Sequence, residues 1–182
     1  SAFNLSLEEG RPERYQGARL TLGAFRALGV QPVLGRGFQE GDDRPGADDV
    51  VLIGHDLWRD RYGSAPDVVG QTLRANGRAL TIVGVMPESF AFPFRHSLWV
   101  PLRVDPLATN RGEGPQYQVV ALLKPGVSVA SASSQAATVA AQLENEFPET
   151  NRGLGAAVIR YTELAMGPEI YALLYTMLGA AI

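Results

Sequence analysis

Gln71-Thr72-Leu73-Arg74-Ala75-Asn76-Gly77-Arg78-Ala79-Leu80-Thr81-Ile82-Val83 is the most informative stretch of the chain. Two strand-length runs flank Asn76-Gly77. That dipeptide supplies the two positive-φ positions of a type I′ turn, so the stretch predicts a β-hairpin. Gly84-Val85-Met86-Pro87 closes the second strand, because Pro87 has no N–H to give to a ladder. Upstream, Val50-Val51-Leu52-Ile53 is a continuous apolar run of strand length, which predicts a strand buried on both faces. His55 to Tyr62 reads as a short helix. Leu57, Trp58, Arg61 and Tyr62 share one side of it, and Gly63 ends it. Downstream, Leu98-Trp99-Val100-Pro101-Leu102 reads as another short strand.

Toward the N-terminus, Phe3–Leu7 and Arg14–Leu22 alternate apolar and polar residues around the turn-forming Glu8-Glu9-Gly10-Arg11-Pro12, predicting an antiparallel pair. Ala24–Leu28 is a helical turn with Gly29 placed to cap it. Beyond a Pro/Gly/Asn-rich connection over 103–115, Gln116–Lys124 reads as a strand and Ser128 as the cap of a helix over Val129–Phe147. The apolar positions Val129, Ala132, Ala136, Ala140, Leu143 and Phe147 follow helical spacing, and Pro148 stops the run. Gly155–Tyr161 reads as a last strand, so this region predicts a strand–helix–strand unit. Ile170–Ile182 is uncharged throughout. A membrane span needs about 20 such residues. The stretch is therefore either the start of a cut span or a C-terminal core helix.

The chain has 182 residues, net charge -3, and 16 Lys+Arg, of which Lys124 is the sole lysine. Scattered arginines and an acidic balance give no electrostatic case for nucleic acid. The absence of Cys excludes a disulfide framework, thiolate metal ligation and a Cys nucleophile. Ser1-Ala2-Phe3-Asn4-Leu5 reads like the interior of a domain, so the chain is expected to be part of a longer protein.

No catalytic, cofactor-binding or metal-binding residue is assigned from sequence. His55 and His96 lack a second His or a carboxylate at i, i+4, the spacing that places two ligands on one helix face. His55 and Asp56 are neighbours, and neighbours on a helix diverge. Neither a Gly-x-Ser-x-Gly elbow nor a phosphate-cradling Gly-x-x-x-x-Gly-Lys-[Ser/Thr] loop is present, so the chain itself is not the site of ATP hydrolysis. Glu40, Asp42, Asp43, Asp48 and Asp49 lack the EF-hand spacing, and Gly41 and Pro45 suit a solvated turn better. Trp58 and Trp99 are expected in the core. Phe90, Phe92 and Phe94 are expected in a loop lining the core, with a partner-binding edge as the alternative.

Three runs carry a resemblance. Phe25-Arg26-Ala27-Leu28-Gly29-Val30-Gln31-Pro32-Val33-Leu34-Gly35-Arg36-Gly37-Phe38 is followed by Val50–Gly63, and then by Val69–Pro87 with Phe90 and Leu98–Leu102 beyond it. In order and spacing they resemble the MacB-like periplasmic core domain of FtsX-like ABC transporter permeases. The resemblance implies a mixed α/β (α+β), two-lobed extracytoplasmic domain with a βαβ-type lobe and a mixed-sheet inserted lobe. The expected divisions are an N-terminal hairpin over 1–22, the inserted lobe over 23–105, the strand–helix–strand lobe over 106–163, and a membrane-helix start or C-terminal helix over 164–182. The N-terminal hairpin or its neighbour is expected to join Gln116–Tyr161. The family's strand–helix unit ahead of the hairpin has no counterpart here, so that lobe is expected to be truncated.

The resemblance also implies a function without covalent chemistry: coupling ATP-driven membrane-helix motion to substrate export, efflux or partner control. Its implied partners are a cytoplasmic ATP-binding subunit or domain acting through membrane helices, a periplasmic adaptor or lipoprotein, and a second permease copy in a dimer. The implied location is the periplasmic side of a bacterial inner membrane. The rival readings are a free-standing soluble ligand- or protein-binding domain of the same fold and a hydrolase using His55 or His96. The hydrolase would need a nucleophile within hydrogen-bond reach of the base.

Overall fold

A computed structural model describes residues 2–5, 13–105 and 107–164. Its contacts divide the chain into two units, Ser1–Pro106 and Leu107–Ile182.

The first unit is built on a mixed sheet. Its strands are β1 (Ala2–Leu5), β2 (Glu13–Leu20), β3 (Leu34–Gly35), β4 (Val50–Ile53), β5 (Thr72–Ala75), β6 (Arg78–Val85) and β7 (Leu98–Pro101). Two helices, α1 (Leu22–Leu28) and α2 (His55–Tyr62), belong to the same unit. The strand order is β3-β6-β4-β7-β2-β1-β5, and β5 also pairs with β6. Six strands therefore close into a ring, with β3 added along β6. The ring closes between β1 and β5 through Leu5 and Ala75. Pairing is parallel between β4 and β6 and between β2 and β7, and antiparallel elsewhere.

The hairpin predicted from Asn76-Gly77 is β5–β6. Ala75 pairs with Arg78, and the two turn residues take φ 52° and 77°. The apolar run at Val50–Ile53 is buried on both faces as its composition predicts. Val51 and Ile53 enter one core layer with Leu57, Leu73, Ile82 and Leu98. Val50 and Leu52 enter the other with Ala18, Val83, Met86 and Trp99. Alternation of side chains along a strand sends neighbours to opposite faces, so one four-residue strand serves both layers. Helix α1 ends on Gly29 at φ 65° and α2 on Gly63 at φ 58°, both in the left-handed conformation that glycine accepts without strain.

The N-terminal pair forms as predicted, but it joins a different partner from the one expected. Backbone bonds tie β2 to β7 and β1 to β5, so the hairpin belongs to the sheet of the first unit. The interior of β2 supplies Ala18 to the second core layer, and that burial fixes its place.

The second unit contains α3 (Val129–Glu146) and α4 (Pro148–Asn151). Ser128 caps α3 by accepting from the Ser131 amide at 3.1 Å. The predicted stripe Val129, Ala132, Ala136, Ala140, Leu143 and Phe147 is half-buried. The strands expected at Gln116–Lys124 and Gly155–Tyr161 are not present, and among the described residues this unit has no strand–helix–strand arrangement. An isolated extended segment has no ladder to join. Val158 instead donates to the Ser133 hydroxyl on α3 at 3.2 Å. Ile170–Ile182 lies outside the described residues. Among the described residues no helix is long and apolar enough to cross a membrane.

Candidate functional site

Parallel pairing brings the C-terminal ends of β4 and β6 side by side, with Ile53 opposite Val85. The Met86 amide then donates to the Ile53 carbonyl at 2.8 Å. The chain leaving β4 starts α2 with His55 and Asp56, and the chain leaving β6 passes Pro87 to reach Glu88. One ligating atom from each of His55, Asp56 and Glu88 falls within 4.8 Å of the other two. The expected divergence of His55 and Asp56 does not hold. Both sit on the first turn of α2, where Cα–Cβ bonds tilt toward the helix N-terminus, and Glu88 meets them from the neighbouring strand end. The register of β4 on β6 creates this meeting, and no local motif announces it.

One turn further on, Arg59 lies 3.0 Å from Asp56 and 2.7 Å from Asp60. The hydrogen bond that Arg59 donates to Asp60, and the negative charges of Asp60, Asp56 and Glu88, raise the Arg59 pKa against the opposing effect of desolvation. The same hydrogen bond holds the Asp60 carboxyl below its usual range. The His55 ring stands edge-on to Trp58 at 5.4 Å. Its Nδ1 is shielded from solvent and makes no hydrogen bond among the described residues. His96 is occupied differently: its Nδ1 accepts from the Phe94 amide at 3.2 Å, and burial lowers its pKa. Neither imidazole forms a hydrogen bond with a hydroxyl group among the described residues, so no nucleophile–base pair is assembled there.

The acidic loop is bound by arginines. Arg36 holds Asp42 at 2.8 Å, and the Gln39 amide also donates to that carboxylate at 2.8 Å. Burial opposes the charged form of Asp42. The Arg36 and Gln39 hydrogen bonds and the charges of Arg36 and Arg103 outweigh it, so the carboxyl titrates below its usual value. Asp49 accepts from Arg78 at 2.6 Å and from Arg103 at 2.8 Å. Arg103 also donates to the backbone carbonyls of Asp42 and Asp48 at 3.1 and 2.6 Å. These carboxylates fasten the loop to the sheet, in place of the solvated turn read from sequence.

The tryptophans serve the core as expected. Trp99 is fully buried and donates to the Phe92 carbonyl at 2.7 Å. Trp58 packs against the first layer and donates to the Ala65 carbonyl at 2.8 Å. Phe90 lies 4.9 Å from the Trp99 ring and 5.9 Å from Phe25, which places it in the core lining, whereas Phe94 is exposed. In the second unit, Val119 is 90% and Leu122 78% exposed, with Tyr117, Leu154 and Ile159 also on the surface.

No curated protein matches this sequence. Among solved structures, the chain is similar to the extracellular domain of the ABC-type transporter YknZ from Gram-positive bacteria. Identity is 15% and the TM-score 0.43, over 56% of this chain and 50% of that one. It is also similar to a domain of a permease protein from Porphyromonas gingivalis, with 18% identity and TM-score 0.53 over 81% of this chain and 71% of that one. The periplasmic region of MacB from Actinobacillus actinomycetemcomitans gives 14% identity and TM-score 0.52 over 83% and 69%. The chain thus spans half the length of the first of these. The latter two share the α+β fold with it. The MacB-like periplasmic core domain family matches residues 4–139, which include the hairpin, the arginine-bound Asp42 and Asp49 and most of α3. The chain belongs to the MacB-like periplasmic core domain family, the extracytoplasmic domain of ABC transporter permeases.

Proposed function

We propose that this domain is the extracytoplasmic part of a bacterial ABC-type permease, and that it converts ATP-driven motion of membrane helices into substrate export or control of a partner protein. Membership of the MacB-like family over residues 4–139 is the observation that carries this reading. In it, a cytoplasmic ATP-binding subunit or domain supplies the energy. The domain stands on the periplasmic side of the inner membrane and works by contact, alone or as one half of a permease dimer. An adaptor or lipoprotein is a partner class that fits this role, and the exposed apolar residues of 107–164 offer a surface for one.

The test uses the full-length native protein in cells. The chain contains no Cys, so Arg74→Cys places a single reactive thiol within the domain at an exposed strand position. Membrane retention, with labelling of that thiol in intact cells by a maleimide that cannot cross the inner membrane, is the expected result. Recovery in the soluble fraction, or labelling only after lysis, would rule out the permease reading and favour a free-standing binding domain of the same fold.

A further inference from the structure

The convergence at the ends of β4 and β6 has the composition of a metal site. An imidazole and two carboxylates come from two chain segments, and their ligating atoms lie within 4.8 Å of one another. A tetrahedral zinc ion with bonds of about 2.1 Å places its ligand atoms roughly 3.4 Å apart. The observed spread therefore needs only side-chain rotation to close, and Asp56 and Glu88 are both exposed and free of core packing. The His55 Nδ1 supplies a second observation, because a solvent-shielded ring nitrogen without a hydrogen-bond partner is uncommon in a folded protein.

We infer that His55, Asp56 and Glu88 bind a divalent transition-metal ion of the zinc type, with a fourth position left to water. The donor set selects the metal. Calcium and magnesium favour all-oxygen shells, whereas an imidazole nitrogen beside carboxylates favours zinc and its neighbours. Arg59 is the occupant in the metal-free state, shared by Asp56 and Asp60. Metal binding moves it fully onto Asp60, so the site exchanges a guanidinium for a dication without leaving a carboxylate unpaired. The ion would clasp the first turn of α2 to the segment that follows β6. That is a structural role, and it holds whether or not the domain works in a permease.

The experiment is a zinc titration of the tag-free 182-residue chain against a competing chromophoric chelator, with Mg²⁺ in parallel. One equivalent of Zn²⁺ is expected to bind, and Mg²⁺ is not expected to displace it. His55→Ala and the near-isosteric Glu88→Gln should each weaken binding about tenfold or more. His96→Ala should leave it unchanged. Substitution of Co²⁺ should give the intense visible bands of a tetrahedral site in the parent chain and lose them in Glu88→Gln, while circular dichroism shows that each variant is folded. Absence of stoichiometric binding overturns the inference. So does equal binding by the parent, His55→Ala and Glu88→Gln, which would mark an adventitious ion only.

Discussion

At Gly84 the backbone of β6 lies against β3 so closely that a side chain has no room. A Cβ there would stand 2.5 Å from the Arg36 carbonyl oxygen, 2.9 Å from that of Leu34 and 3.0 Å from a Leu52 methyl. The first two neighbours are backbone and cannot rotate away. Gly84→Ala should therefore cost about 3 kcal/mol, as overpacking a closed site does, read as a lower urea midpoint at unchanged slope. A second residue-scale expectation concerns pH. Burial holds the His96 pKa below the ordinary imidazole value of 6.5. Above that value His96 is neutral in both folded and unfolded chains and contributes no pH dependence. As pH falls from 6.5 toward the lower folded value, the unfolded chain takes up the proton first and stability drops. Unfolding midpoints at pH 7.5 and 5.5 should therefore lie closer together in His96→Asn than in the parent, and equal gaps would contradict the assignment. Asn76-Gly77 was readable because its turn chemistry is local. The closeness at Gly84 and the meeting of His55 with Glu88 were not, because each depends on which strands become neighbours.

At the scale of elements, the acidic loop shows how ion pairs differ in weight. Asp49 is held between Arg78 and Arg103, and Arg103 is itself about three-quarters covered, with side-chain exposure of 23%. Removing the carboxylate in Asp49→Ala leaves that guanidinium with backbone carbonyls alone, at a cost of about 1–2 kcal/mol. The Arg26–Glu40 pair, at 3.7 Å with both side chains mostly exposed, is expected to contribute almost nothing. Thermal unfolding of Asp49→Ala beside Arg26→Ala checks the contrast, and similar losses from the two would contradict it. Helices and hairpins were legible because their signals are local: caps, turn residues and a 3.6-residue stripe. The segments Gln116–Lys124 and Gly155–Tyr161 carry strand composition as well. Yet strand formation is a property of a pair, and alternation in one segment does not say whether a second lies beside it. For the same reason the N-terminal hairpin was recognisable while its placement beside β7 and β5 was not.

For the whole molecule, the decisive contrast is where burial is concentrated. Val51, Leu52, Ile53, Leu57, Ile82, Leu98 and Trp99 are nearly or fully inaccessible in the first unit. Among the described residues from 107 to 164, none is fully buried. Amides in β4, β6 and β7 therefore open only when the whole core unfolds. Amides of α3 depend on helix propensity, the Ser128 cap and one half-buried stripe, and in proteins a helix draws most of its stability from the packing of such a face. Native-state hydrogen exchange of the 182-residue chain should show α3 exchanging about a hundredfold or more faster than Leu52, Ile82 and Trp99. Equal protection would show that the two units unfold as one. The expected difference bears on the role proposed above, in which the domain works by contact. In the proposed role, a ring of strands closed on a two-layer core would transmit force with little deformation, whereas α3, half-buried along one stripe and with Val139 exposed, would be stabilised by a partner docked on it. Addition of a true partner should then slow exchange selectively in α3 and leave the amides of the ring unchanged.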